Sequence, residues 1–194
     1  MQKYVWPLIW GFAVAFVLGL GLSALDRAAG GDLGPTKLWT PAFLGFITFF
    51  ILANLAGNRK VAAASAAERD QALSLTPPAG QGQLLIYREG FVGKAAGMNV
   101  TVDGVVRAQL KSPRFVVLPV SPGSHRVGAG FGGLAGAQNN AGDEAVQVGG
   151  GQTVVMRASL SMGMLKNTVR LERIDDHEGV RRKLANVTMV KPEA

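Results

Sequence analysis

The sequence predicts a membrane-anchored chain: a transmembrane α-helical hairpin at the N-terminus, followed by an all-β antiparallel sandwich of seven or eight strands. Two stretches, Val5 to Leu25 and Trp39 to Asn58, carry no charge over 21 and 20 residues. Beyond Gly80 the apolar periodicity changes from helical to two-residue, with turn signals between short runs. Charged residues make up 17% of the 194-residue chain, under the roughly 25% usual for a soluble domain. Part of the chain is built for a solvent other than water.

Each uncharged stretch would span about 30 Å as a helix, the thickness of a bilayer core. A buried helix of a soluble protein usually keeps a polar stripe. Here polar side chains are sparse: Ser23 in the first stretch, and Thr40, Thr48 and Asn54 in the second. Trp6, Trp10 and Trp39 fall near the ends, where indole rings favour the headgroup level. Pro7 and Pro41 are expected in first helical turns, where a missing N–H is tolerated. The first stretch is longer than the about 7–15 residues of a signal-peptide core, which favours a retained anchor over cleavage near Leu22-Ser23-Ala24.

The connector Asp26 to Leu38 is short and rich in glycine and proline, so the two helices should run antiparallel. Gly11, Ala15, Gly19 and Ser23 recur every four residues on one face and are the expected helix-packing positions. Their partner is either the second helix, through Gly45, Ala53, Ala56 and Gly57, or another protein. Lys3, Arg59, Lys60 and Arg69 flank the hairpin on one side, against Arg27 and Lys37 in the connector. The positive-inside bias then places both termini in the cytoplasm.

Val61 to Leu75 is alanine-rich and free of glycine and proline, so it should extend the second helix as a stalk. Thr76-Pro77-Pro78-Ala79-Gly80 ends it. The expected organisation is a hairpin over 1–58, stalk and linker over 59–80, a sandwich over 81–175 and a basic tail over 176–194. Candidate strands cover 83–88, 98–102, 105–110, 114–119, 124–129, 144–148, 152–159 and 167–174. Asp103-Gly104 is the clearest hairpin signal, a two-residue turn needing positive φ at both positions. Short strands at this density point to a sandwich.

The order Leu85-Ile86-Tyr87-Arg88, Val100-Thr101-Val102-Asp103-Gly104, a strand ending at Leu110, then Phe115-Val116-Val117-Leu118 and Pro122-Gly123-Ser124-His125-Arg126-Val127 resembles the PEGA-like domains of bacterial envelope proteins. It is most similar to a group of small, often lipid-anchored domains of unknown function, with Gly151-Gln152-Thr153-Val154-Val155-Met156 supplying a later strand. The likeness covers about residues 83–174. It implies a PEGA-like or Ig-like sandwich and says almost nothing about activity. The chain departs from the group in having no cysteine, hence no lipidated anchor. Members of the group are usually extracytoplasmic, so a periplasmic address stands beside the cytoplasmic one.

Zero cysteine and two histidines leave little material for thiol chemistry or a zinc site. Gly128-Ala129-Gly130-Phe131-Gly132-Gly133 matches a dinucleotide fingerprint in letters, but the residues after it are too rich in glycine and asparagine for the helix that motif must open. The segment reads instead as a mobile loop with Phe131 and Leu134 exposed as a partner contact. His125 has no carboxylate or nucleophile near it in sequence, and its ring should hydrogen-bond a neighbouring loop. Asp175-Asp176-His177-Glu178 reads as a solvated turn. Arg181-Arg182-Lys183 is a candidate contact for anionic lipid headgroups, since the chain from Ala79 onward holds 14 basic and 9 acidic residues. Nucleic acid is not expected, because few aromatics interleave with those charges.

No catalytic, cofactor-binding or metal-ligating constellation emerges. The expected role is a non-enzymatic scaffold or assembly component of the membrane, with the bilayer and a protein partner as contacts. The alternative is an accessory subunit of a larger membrane enzyme or transporter, docked through the hairpin.

Overall fold

A computed structural model describes residues 2–31 and 33–193. They form two compact units, Met1–Gly57 and Asn58–Ala194.

The first unit is a pair of long helices, α1 (Val5–Ala29) and α2 (Thr36–Leu55). Gly30, at φ +60°, ends α1 in the left-handed conformation that glycine adopts without strain. The helices are antiparallel, since Gly11 lies against Gly45 and Phe49 while Gly19 faces Pro41. Both are long and apolar enough to cross a bilayer by length and composition. Pro41 departs from expectation: it lies inside α2 rather than in its first turn, because Pro35, with φ −62°, starts the helix earlier at Thr36.

The second unit contains two sheets. The larger has the order β10 (Thr188–Met189), β4 (Arg114–Val120), β1 (Gly82–Arg88), β8 (Thr153–Ser161), β9 (Asn167–Arg173), β6 (Asn139–Asn140). The smaller has the order β3 (Val105–Leu110), β2 (Met98–Val102), β5 (Gly123–Phe131), β7 (Gly142–Val148). One core joins them, with Leu84, Ile86 and Met156 from the first sheet packed among Val100, Val127 and Val148 from the second.

The smaller sheet is antiparallel throughout, but the larger is mixed: β1 runs parallel to β8, β4 to β10 and β6 to β9. This corrects the all-antiparallel expectation. Two-residue alternation reports which face a side chain takes and carries no information about strand direction. The Asp103-Gly104 turn behaves as its chemistry requires, with φ +53° and +81° joining β2 to β3.

The larger sheet is covered on its other side too. Leu85, Tyr87, Phe115 and Val155 point away from the shared core and meet Leu73, Val180 and Leu184. These come from the end of α3 (Ala66–Ala72) and from α5 (His177–Leu184). All seven residues of β1 are therefore buried. Its run Leu84-Leu85-Ile86-Tyr87 is apolar without alternation because both faces are dry.

The expected stalk is corrected here. The chain after Asn58 is no helical stalk: α3 has seven residues, and 61–64 is extended, with Val61 packed on the core and Ala63 bridged to Val190. Pairing and burial override the helical preference of alanine. The basic tail over 176–194 packs on the same unit, with Val180, Leu184, Met189 and Val190 buried.

Candidate functional site

The most unusual group in the β-rich unit is Arg88, at the end of β1. It is 2% exposed. After it the chain leaves one sheet for the other, and the crossing 89–97 leaves backbone carbonyls without strand partners. The guanidinium ties it to β3: Nη1 donates to the carbonyls of Ala96 and, at 2.9 Å, of Leu110 at the end of β3, and Nη2 to that of Gly93 at 2.7 Å. The Phe131 ring lies 5.0 Å from the guanidinium carbon, within the range of a cation–π contact. Burial pulls the Arg88 pKa down to about 10, which leaves it charged at neutral pH.

The same crossing is held from the start of the unit. Asn58 Nδ2 donates to the carbonyl of Ala95 at 2.9 Å, and its Oδ1 accepts from the N–H of Gly97 at 2.6 Å. Arg59 N donates to Gln109 Oε1 at 2.7 Å. Arg88 and Asn58 thus clamp one loop by charge and by side-chain amide.

His125 marks a second polar centre. Its Nδ1 lies 2.7 Å from Asp103 Oδ2 and its Nε2 2.8 Å from the Ser121 carbonyl. Asp103 is held in turn, because Oδ1 accepts from Arg126 N at 2.8 Å. The expected loop hydrogen bond is present, and the carboxylate missing from the local sequence arrives from the β2–β3 turn, 22 residues away. The bond to Asp103 and that to Ser121 raise the His125 pKa above its ordinary value. Both ring nitrogens lie against oxygen atoms, so the ring is a strut between two turns.

The remaining sequence candidates fall in several places. Gly11 and Ala15 meet Gly45 within the helical unit, where a Cβ on Gly45 would come within 2.7 Å of that of Ala15. The face carrying Gly11, Ala15 and Gly19 is thus used by α2, and Ser23 is half-buried on the same helix. Phe131 and Leu134 are half-buried rather than exposed. The glycine-rich run is no loop: β5 continues to Phe131, and α4 (Gly133–Gln138) follows. Gly128 lies inside β5 because a Cβ there would come 2.4 Å from Thr101 Oγ1.

Lys183 pairs with Glu89 and lies 5.4 Å above the Tyr87 ring. Arg157 bonds the same Glu89 at 3.0 Å and also Glu172. Arg181 is 3.4 Å from Glu178, and Arg182 is exposed. Asp176, in the acidic turn beside His177, caps α5 by accepting from Gly179 N at 2.9 Å. Among the described residues no group of three or more His, Cys, Asp or Glu side chains could hold a metal ion.

Sequence reading passed over Arg88 and Asn58. A signal for the first existed, since an arginine closing the apolar run Leu84-Leu85-Ile86-Tyr87 must either reach water or find acceptors inside. Neither the scan against protein-family models nor the search of curated proteins returns a match to this chain.

Proposed function

We propose that this chain is a non-enzymatic membrane protein whose helical pair anchors a PEGA-like β-sandwich that serves as a scaffold or assembly component. The observation that carries the reading is the surface of the two helices. Trp6, Phe12 and Phe46 are 68%, 74% and 62% exposed. Residues buried inside the molecule make up only 6% and 17% of the most apolar windows. Helices that show their large side chains outward need an apolar solvent to cover them.

The β-rich unit supports a binding role. Its polar centres are spent on holding loops, as Arg88 and His125 show. Its sheet edges differ in availability. β10 and β6 have two residues each, and Glu193 N donates to the Arg107 carbonyl of β3 at 2.7 Å. Among the described pairings, β7 is joined on one side only, to β5, and its outward edge could receive a strand from a partner. The charge bias at the helix ends favours the cytoplasm for this unit, and the resemblance to bacterial envelope domains favours a bacterial inner membrane.

Two measurements test the reading. The full chain should stay in the membrane fraction after alkaline carbonate extraction, and a C-terminal fluorescent protein should be active where a phosphatase is not. Release into the supernatant overturns the anchor; phosphatase activity overturns the orientation. Tagged full chain purified in mild detergent should bring a partner that Ala145→Lys on β7 reduces. Recovery as a lone monomer overturns the scaffold role.

A further inference from the structure

We propose that one end of the β-rich unit, formed by the crossing loop 89–97 and the β8–β9 hairpin tip, lies on the bilayer and inserts Phe91, Met162, Met164 and Leu165 at its surface. The inference rests on the membrane-anchored reading above.

Three observations converge on it. The first is apolar exposure. Phe91 is 83% exposed and Leu165 95%, Met164 is fully exposed, and Met162 is 76% exposed. Most other large apolar side chains of this unit pack into three clusters, with Val105 exposed apart from them, so this concentration of uncovered ones is a local feature.

The second is placement. Arg88 of β1 is in parallel register with Ala158 of β8, so the loop after β1 and the tip after β8 leave the sheet at the same end. They also meet: a Cβ on Gly93 would lie 3.6 Å from Leu160 Cδ2 and 3.9 Å from Phe131 Cζ. The Arg88 guanidinium fixes this loop from inside. The exposed Phe91 therefore projects from a braced base, and burying it entails little further loss of backbone freedom.

The third is the tether, which decides the occupant. Asn58 is bonded to Ala95 and Gly97 of the same loop, and α2 ends at Leu55. The chain therefore enters the unit at the end that carries Phe91, and the segment before that point is the proposed anchor. Charge agrees: Lys94 and Lys166 are exposed among the apolar side chains. Glu89, the acid in the crossing loop, is taken up by Arg157 and Lys183. Lysines beside inserted apolar side chains place their stems in the interface and their ammonium groups against anionic headgroups.

The test uses the full chain, which has no cysteine of its own. Single cysteines from Phe16→Cys, Phe91→Cys, Met164→Cys and Gln147→Cys carry an environment-sensitive fluorophore in phosphatidylcholine–phosphatidylglycerol vesicles containing nitroxide-labelled lipid. Quenching at 16 reports the anchor, 91 and 164 report the tip, and 147, exposed on β7, is the aqueous reference. The expected result is quenching at 16, 91 and 164 and none at 147. Quenching at 16 with 91 and 164 behaving like 147 overturns the proposal while the anchor stands. A blue-shifted but unquenched probe at 164 means that a second copy or another protein covers the tip, and also overturns it. An unquenched probe at 16 removes the anchor and the proposal together.

Discussion

His125 holds both ring nitrogens against oxygen acceptors, and only the doubly protonated ring can donate to both. Its raised pKa means that the stabilisation is complete below the ordinary histidine value of about 6.5 and is lost as pH rises through the raised value. Asp103 is lowered, first by the Arg126 N–H and then by His125, so its share is present above the ordinary carboxylate value and is lost in acid. Urea midpoints of the full chain in detergent should therefore fall between about pH 6 and pH 8. Asp103→Asn, which keeps a residue tolerant of φ +53°, should flatten that slope.

Arg88 gives a larger effect. Arg88→Met removes the guanidinium hydrogen bonds to the carbonyls of Gly93, Ala96 and Leu110 and should lower unfolding free energy by about 2–4 kcal/mol. Protease cutting in loop 89–97 should rise with it. Arg88→Lys should recover part of the loss, because one ammonium cannot reproduce the guanidinium fork.

At the scale of elements, α1 and α2 approach where Gly11 meets Gly45. A Cβ on Gly11 would lie 2.7 Å from the Gly45 carbonyl oxygen and 2.8 Å from Phe49 Cβ. Gly11→Val should weaken the helix pair by about 1–3 kcal/mol through overpacking, read as earlier unfolding in a dodecyl sulfate titration. Gly21→Val, with nothing within 4 Å, is the silent control. α3 depends on its start: Ser65 and Glu68 form a reciprocal capping box, and Ser65→Ala should cost about 1 kcal/mol. Lys191, then the Ser65 N–H, holds the Glu68 carboxyl down at about 2. That contribution is present above the ordinary carboxylate value and disappears as pH falls toward 2. Glu68→Gln should remove this part of the acid sensitivity of the β-rich unit, measured by circular dichroism.

For the whole molecule, most strands were legible because alternation and turn chemistry are local. Asp103-Gly104 had to turn, and Val100-Thr101-Val102 had to be extended. The layering was legible in principle from the continuous apolar runs of β1, β4 and β8, since a strand open to water on one face would not need them. The candidate site was much less so. Arg88, Asn58 and Gly97 are brought together by a crossing between sheets, and Asp103 reaches His125 across 22 residues. The alanine-rich segment after Asn58 misled because propensity favours helix weakly, and pairing with residues near Val190 outweighs it.

By itself the sequence determined two long helices built on uncharged stretches, the positions of most strands and the tight turns, because each follows from the chemistry of consecutive residues. Only the tertiary structure decided that the larger sheet is mixed and covered on both faces, that Arg88 is buried under its own loop, and that Phe91, Met164 and Leu165 share one end of the unit with Asn58. These are matters of which distant segments meet, and periodicity along a chain holds no record of its neighbours in space.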